Sequence, residues 1–186
     1  SLENLPRCGI VHRIDKNTTG LLVIAKTLQA HHHLVRQLQN KTMGREYQAV
    51  VVGELTGGGK VEAKLGRHPT QRIKMAVTEH GKPAVTHYRL LKRFRGHSHI
   101  KLMLETGRTH QIRVHCQHLG HPIIGDTKYN TDKINSGFAE LGLGRLCLHA
   151  SQLAFTQPKT GERIVVNAPL DESLGSVLTQ LRNPAR

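Results

Sequence analysis

Aromatic side chains are nearly missing from this 186-residue chain, which has three Tyr, three Phe and no Trp. Proteins that grip single strands by stacking need several exposed rings, each contributing about 1–3 kcal/mol per base. Six rings that must also fill a core argue against binding in the manner of an RNA-recognition motif or cold-shock domain. Acids are scarce as well. Asp and Glu number 13 against 27 Lys and Arg, a formal charge of +14 with histidines neutral. Such a balance says nothing about fold but points to a polyanionic partner, with nucleic acid the commonest, contacted through phosphates and shape. The three cysteines, Cys8, Cys116 and Cys147, are odd in number, far apart and in no C-x-x-C pair. Disulfides and a thiolate zinc site are therefore not expected, and a reducing, cytoplasmic setting is. No apolar run approaches the roughly 20 residues of a membrane span, and the opening "SLENLPRCGI" has no signal-peptide core.

Motifs of several enzyme classes are absent too. There is no G-x-S-x-G, Walker A or G-x-G-x-x-G, and "TGGGK" (56–60) lacks the spacing of a phosphate loop. Histidine is abundant at 14, yet "HHH" (31–33) spreads its rings about 100° apart around a helix, so they cannot converge on one ion. His115 and His118 sit outside any H-E-x-x-H pattern, and no metal is expected.

What is present reads as one domain of α+β class. "LLVIA" (21–25) predicts an interior strand, and Thr27 predicts the cap of a helix to about residue 41 with Leu34, Val35 and Leu38 on one face. "REYQAVVVGEL" (45–55) predicts a strand closed by "TGGGK", followed by a basic, poorly periodic and exposed excursion over 60–75. Two antiparallel strands follow over 78–94 and 97–105. Thr109 then predicts the cap of a short helix that turns Ile112, Cys116 and Leu119 inward. Segment 126–144 reads as loop. Two further strands flank the turn "TQPKTG" (156–161), and a last helix, "DESLGSVLTQLR" (171–182), buries Leu174, Val177, Leu178 and Leu181.

One carboxylate stands out. In "GIVHRIDKNTTGLLVIAK" (9–26), Asp15 lies between Arg13 and Lys16 in a polar loop beside an apolar run. A carboxylate among cations is held as its anion, which suits a nucleophile or base better than an acid. Downstream, "GRTHQIRVH" (107–115) gathers Arg108, His110, Gln111 and Arg113 onto the first turns of a helix, and "REYQAV" puts Tyr47 at the start of a strand. Arg67, Arg72 and Lys74 of the basic excursion, with Arg108 and His110, are candidate contacts to nucleic acid.

"HRIDKNTTGLLVIAK", "REYQAV", "GRTHQIRVH", "GHPIIGDTKY" and "LCLHASQLAF" resemble, in order, the signatures of the RluA family of pseudouridine synthases. "GRHPTQRIKMAV" and "GKPAVTHYRL" look most like its RluD type, and the C-terminal part is also similar to the RluC type. The resemblance implies a mixed, mainly antiparallel sheet with flanking helices and a central RNA-binding cleft. It implies an enzyme without metal or cofactor that isomerises uridines of large-subunit (23S) ribosomal RNA, acting on that RNA or on a precursor of the large subunit. It places the catalytic carboxylate at Asp15, the site tyrosine at Tyr47 and the arginine paired with the acid at Arg113. Arg13 falls on the arginine that enters the RNA stack where the uridine has left. A monomer away from membranes is expected. The strands and S4-like domain that precede these motifs in RluD-type proteins are not in the sequence, so it is expected to be a fragment with reduced or absent activity and an uncovered sheet edge or apolar face. The rival expectation is a non-catalytic RNA-binding or ribosome-assembly module built on the same basic cleft.

Overall fold

The apolar run at 21–25 is not the interior strand its composition suggests. In the computed structural model, which describes residues 2–139 and 144–183, pairing falls just before it, at β1 (Thr19–Gly20). Gly20 explains the shift. Its φ is +102°, and a Cβ there would lie 2.1 Å from the carbonyl oxygen of Ala150. Only glycine allows that approach. The chain then leaves the sheet, and Leu22 and Ile24 are exposed while Ala25 is buried.

Thr27 does cap the next helix. Its Oγ1 accepts a hydrogen bond from Ala30 N–H at 3.1 Å and starts α1 (Leu28–Gln39), which buries Leu34 and half-buries Val35 and Leu38. Strand β2 (Gly44–Val52) follows, ending where Gly53 takes φ +89°. "TGGGK" is therefore not its closing turn, because Gly59 and Lys60 already belong to β3 (Gly59–Glu62). The basic stretch is also more ordered than its composition suggests. It holds β3, β4 (Leu65–Arg67) and β5 (Met75–Val77), the last two forming a small separate hairpin. These strands are three or four residues long, too short for alternation to show in sequence. Leu65 and Met75 nevertheless pack with Ala84, Val114 and Tyr129.

The meander is as expected, although β6 (Val85–Phe94) starts later than residue 78 because 78–84 forms a turn. Gly81 makes that turn possible, since a Cβ there would lie 2.5 Å from the carbonyl carbon of Leu65. Strand β7 (His97–Leu104) returns antiparallel to β6. Helix α2 (Gln111–His118) is not capped by Thr109. The cap position is His110, in a left-handed conformation at φ 56°, and the Gln111 side chain reaches back to accept from Arg108 N–H at 3.0 Å. Within 126–144, expected to be loop, residues 132–139 form α3 (Asp132–Ala139), while 140–143 lie outside the described residues. The C-terminal elements match expectation: β8 (Leu148–Thr156), β9 (Arg163–Asn167) and α4 (Glu172–Arg182). Asp171 caps α4 by accepting from Leu174 N–H at 3.3 Å.

The main sheet runs β1–β8–β2–β7–β6–β3, with β9 also on β8. Among the described residues only the β1–β8 pairing of this sheet is parallel. The fold is α+β, a mixed and mainly antiparallel sheet with flanking helices. Its largest core joins Val50, Val51, Ile100 and Leu102 of the sheet to Ile123, Ile124 and the α4 residues Leu174, Val177 and Leu178. At the β9 edge, Val165 and Val166 stay exposed. Among the described residues no helix is long and apolar enough to cross a membrane.

Candidate active site

The loop before β1 is fixed at both ends. Thr18 N–H donates to Asp15 C=O at 2.9 Å, closing a turn around the acid. One residue on, the Thr19 hydroxyl donates to Asp171 Oδ1 at 2.9 Å and lies 2.9 Å from His149 Nδ1. Asp171 also pairs with Arg145. The capping acid of α4 thus anchors the segment that carries Asp15.

Asp15 meets Arg113 across that anchor. Arg113 Nη1 donates to Asp15 Oδ2 at 3.3 Å, and both side chains are largely buried. The fork of Arg113 points elsewhere, with Nε and Nη2 each donating at 2.8 Å to the two oxygens of Asp126. A bidentate contact between Arg113 and Asp15 is therefore not the arrangement. Asp126 takes the fork because it is almost wholly buried and is itself turned toward α2 by backbone N–H groups of Lys128 and Tyr129 at 3.0 and 3.2 Å. Burial works against the charge on Arg113, but the bonds from Asp126 and then the field of Asp15 outweigh it, raising its proton affinity above the usual guanidinium value.

Tyr47 reaches the same place from β2. A cavity is lined by Asp15, Tyr47, Arg13, Arg108 and His110, among others, so these five sequence candidates come together. Pairing of β2 with β8 slips between Glu46 and Tyr47, where Ser151 of β8 is passed over while the alternation of β2 continues. Burial pushes the Tyr47 phenol above its ordinary value, with Arg45 opposing and Asp15 adding to the rise. Arg13 and Arg108 are exposed at the cavity rim, and Arg108 Nε donates to Pro83 C=O at 3.0 Å.

His110 is held on two sides. Its Nδ1 lies 2.6 Å from the Tyr129 hydroxyl, and its Nε2 lies 4.0 Å from Asp15 Oδ1. Met75 N–H donates to that same hydroxyl at 3.0 Å, so Tyr129 links the hairpin to the histidine. Burial lowers the basicity of His110, opposed by Asp15. Tyr129 also receives Arg113 over its ring at 5.0 Å.

Arg67, Arg72 and Lys74 are not part of this cluster. They sit on the β4–β5 hairpin and its tip, where Arg67 Nη1 donates to Arg72 C=O at 3.2 Å. The hairpin joins the site through Leu65, Met75 and the Met75–Tyr129 bond. Among the described residues no group of three His, Cys, Asp or Glu is placed to hold a metal ion.

Three residues near the site were missed in sequence. Asp126 and Tyr129 stand inside the quoted "GHPIIGDTKY" stretch, but only folding brings them to Arg113 and His110. Arg45 had a usable signal, because strand alternation puts positions 45 and 47 on one face.

Comparison with known proteins adds lineage to this geometry. Residues 1–118 match the family model described as RNA pseudouridylate synthase. Proteins named "Ribosomal large subunit pseudouridine synthase D" are similar over nearly the whole chain. The one from Vibrio parahaemolyticus is 48% identical over 97% of this chain and 58% of its own. That from Pseudomonas aeruginosa is 49% identical over 97% and 59%, and that from Escherichia coli 44% identical over 97% and 58%. The chain thus spans less than two thirds of the length of these relatives. Among solved structures, human RNA pseudouridylate synthase domain containing 1 superposes with a TM-score of 0.75 at 27% identity, covering 94% of this chain and 80% of that one.

Proposed function

The chain belongs to the RNA pseudouridylate synthase family, and from that premise we propose that it isomerises uridines of large-subunit (23S) ribosomal RNA to pseudouridine in the cytoplasm, with Asp15 as the catalytic carboxylate. The observation that carries this reading is the Arg113–Asp15 pair at the edge of a cavity shared with Tyr47.

A uridine inside folded RNA is out of reach, so it is flipped out at a cost of a few kcal/mol. Arg13, exposed at the cavity rim, fills the gap and stacks its planar guanidinium on the neighbouring bases. The N1–C1′ bond then breaks, the base turns, and C5 joins C1′. The C5 proton is lost and N1 gains one, so composition does not change and no oxidant or reductant is called for. Asp15 acts as the anion that attacks, at C1′ of the ribose or C6 of the base, and Arg113 keeps it aimed. Tyr47 lies against the base as a neutral ring with a hydroxyl able to move a proton. Arg108 and His110 at the cavity, and Arg67, Arg72 and Lys74 on the hairpin, hold the surrounding phosphates.

The test is Asp15→Asn in the full-length protein. Pseudouridine formation in large-subunit RNA from cells lacking the gene is expected to vanish while RNA affinity stays within a few-fold. Retained turnover would remove Asp15 from its role. A wild-type protein that binds this RNA and leaves every uridine unchanged would establish the non-catalytic binding module instead. Release of free uracil would mark a glycosidase, whereas isomerisation leaves the RNA mass unchanged.

A further inference from the structure

Beside the Asp15 cavity lies a second groove of about 510 Å³, lined by Arg7, His12, Arg13, Lys41, Arg45 and Arg108 among others. Arg45 is common to both and forms part of the wall between them. It is only 8% exposed, yet among the described residues its guanidinium has no hydrogen bond and no carboxylate partner, and its Nε is both buried and unsatisfied. A buried cation without a partner is costly, and folds retain one where something anionic completes it.

The surroundings are shaped for that side chain. A Cβ on Gly107 would lie 2.5 Å from Arg45 Nη1, so the glycine leaves the space the guanidinium occupies. His12, on the same groove, accepts from Val23 N–H through Nε2 at 3.2 Å, which leaves the proton on Nδ1, a second buried donor with no partner. Lys41 by contrast is already paired with Glu105 at 2.9 Å. The acid of the groove is thereby occupied by Lys41 and by His87 and is not offered to Arg45.

We propose that Arg45, backed by His12 and flanked by Arg13 and Arg108, seats a backbone phosphate of the RNA next to the nucleotide that enters the Asp15 cavity. The strand explains the placement. Arg45 and Tyr47 are two residues apart on the buried face of β2, so one strand holds the extruded nucleoside and its phosphodiester in fixed register. This inference rests on the reading of the chain as an RNA-modifying enzyme.

The experiment uses the full-length protein with unmodified large-subunit ribosomal RNA as probe, comparing wild type with Arg45→Met, Arg45→Gln and Arg45→Lys. Affinity is measured across salt concentrations and melting temperature without RNA. Arg45→Met and Arg45→Gln are expected to weaken binding on the order of tenfold or more and to reduce the log–log salt slope by about 0.7–0.9, the share of one phosphate. Arg45→Lys keeps the slope while losing part of the affinity. Without RNA, Arg45→Met melts at or above the wild-type temperature, because an uncompensated buried charge has been removed. Arg45→Met that melts well below wild type while binding RNA with unchanged slope would overturn the proposal, showing that a carboxylate elsewhere in the full-length protein completes the guanidinium. A wild type that isomerises uridine while all three variants keep its affinity and slope overturns only this inference. A wild type that neither binds nor modifies the RNA overturns the functional reading as well.

Discussion

Arg113 is shared between two acids, and the two pairings are unequal. The fork is committed to Asp126 at 2.8 Å and a single nitrogen reaches Asp15 at 3.3 Å. Lysine has one point of charge and cannot serve both. Arg113→Lys is therefore expected to cut turnover by about a hundredfold or more in a single-turnover assay, in the range seen when an electrostatic positioning group is lost. Asp126→Asn leaves the arginine largely buried with only the weaker partner. It is expected to destabilise the fold by about 3 kcal/mol in urea titrations, because one half of a buried ion pair has been removed. The fork was hidden from sequence, since nothing in "GHPIIGDTKY" distinguishes an acid buried under α2 from one that caps a turn. The proximity of positions 15 and 113 was legible only through family resemblance, as 98 residues separate them.

At the scale of elements, the shortest strand has the largest effect on the proposed site. Strand β1 is two residues long, and its backbone passes so close to β8 that a Cβ at Gly20 would overlap Ala150. Gly20→Ala is expected to break this pairing, displace the loop carrying Asp15, and lower both melting temperature and turnover. The same substitution at Gly57, where a Cβ meets nothing within 4 Å, serves as the control and leaves both unchanged. Long, strongly patterned elements could be read directly: α1 from its Thr27 cap and apolar stripe, α4 from Asp171 and its leucines, and the β6–β7 meander from alternation. Elements of three or four residues could not, because β4 and β5 are too short for alternation to show and β3 depends on pairing with the more distant β6. The apolar run at 21–25 misled for the opposite reason. Its composition fits a buried strand, but the close approach at Gly20 uses the pairing before the run begins.

Two buried histidines shape how the whole molecule responds to acid. Burial, then the nearby Arg45, lowers the His12 pKa from 6.5 to about 4. Burial, then Arg182, does the same for His99, also to about 4. Both rings are neutral in the folded state and become protonated first in the unfolded one. Their stability contribution is intact above pH 6.5 and is lost as pH falls from 6.5 toward 4, by at most about 1.4 kcal/mol per pH unit for each ring. Denaturant melts across that range are expected to show this slope, and His99→Gln to flatten it. At neutral pH the formal charge is +14, and the proposed RNA affinity is expected to fall steeply with salt. Affinity unchanged between low and physiological salt would contradict that reading. The hydrogen-bonded chain from Met75 through Tyr129 to His110 runs from the outer basic arm to the neighbourhood of Asp15. RNA seated on that arm is expected to steady the alignment of the acid through these contacts. A truncated transcript that never touches the arm should react slowly even when saturating, a deficit in kcat that added RNA cannot repair.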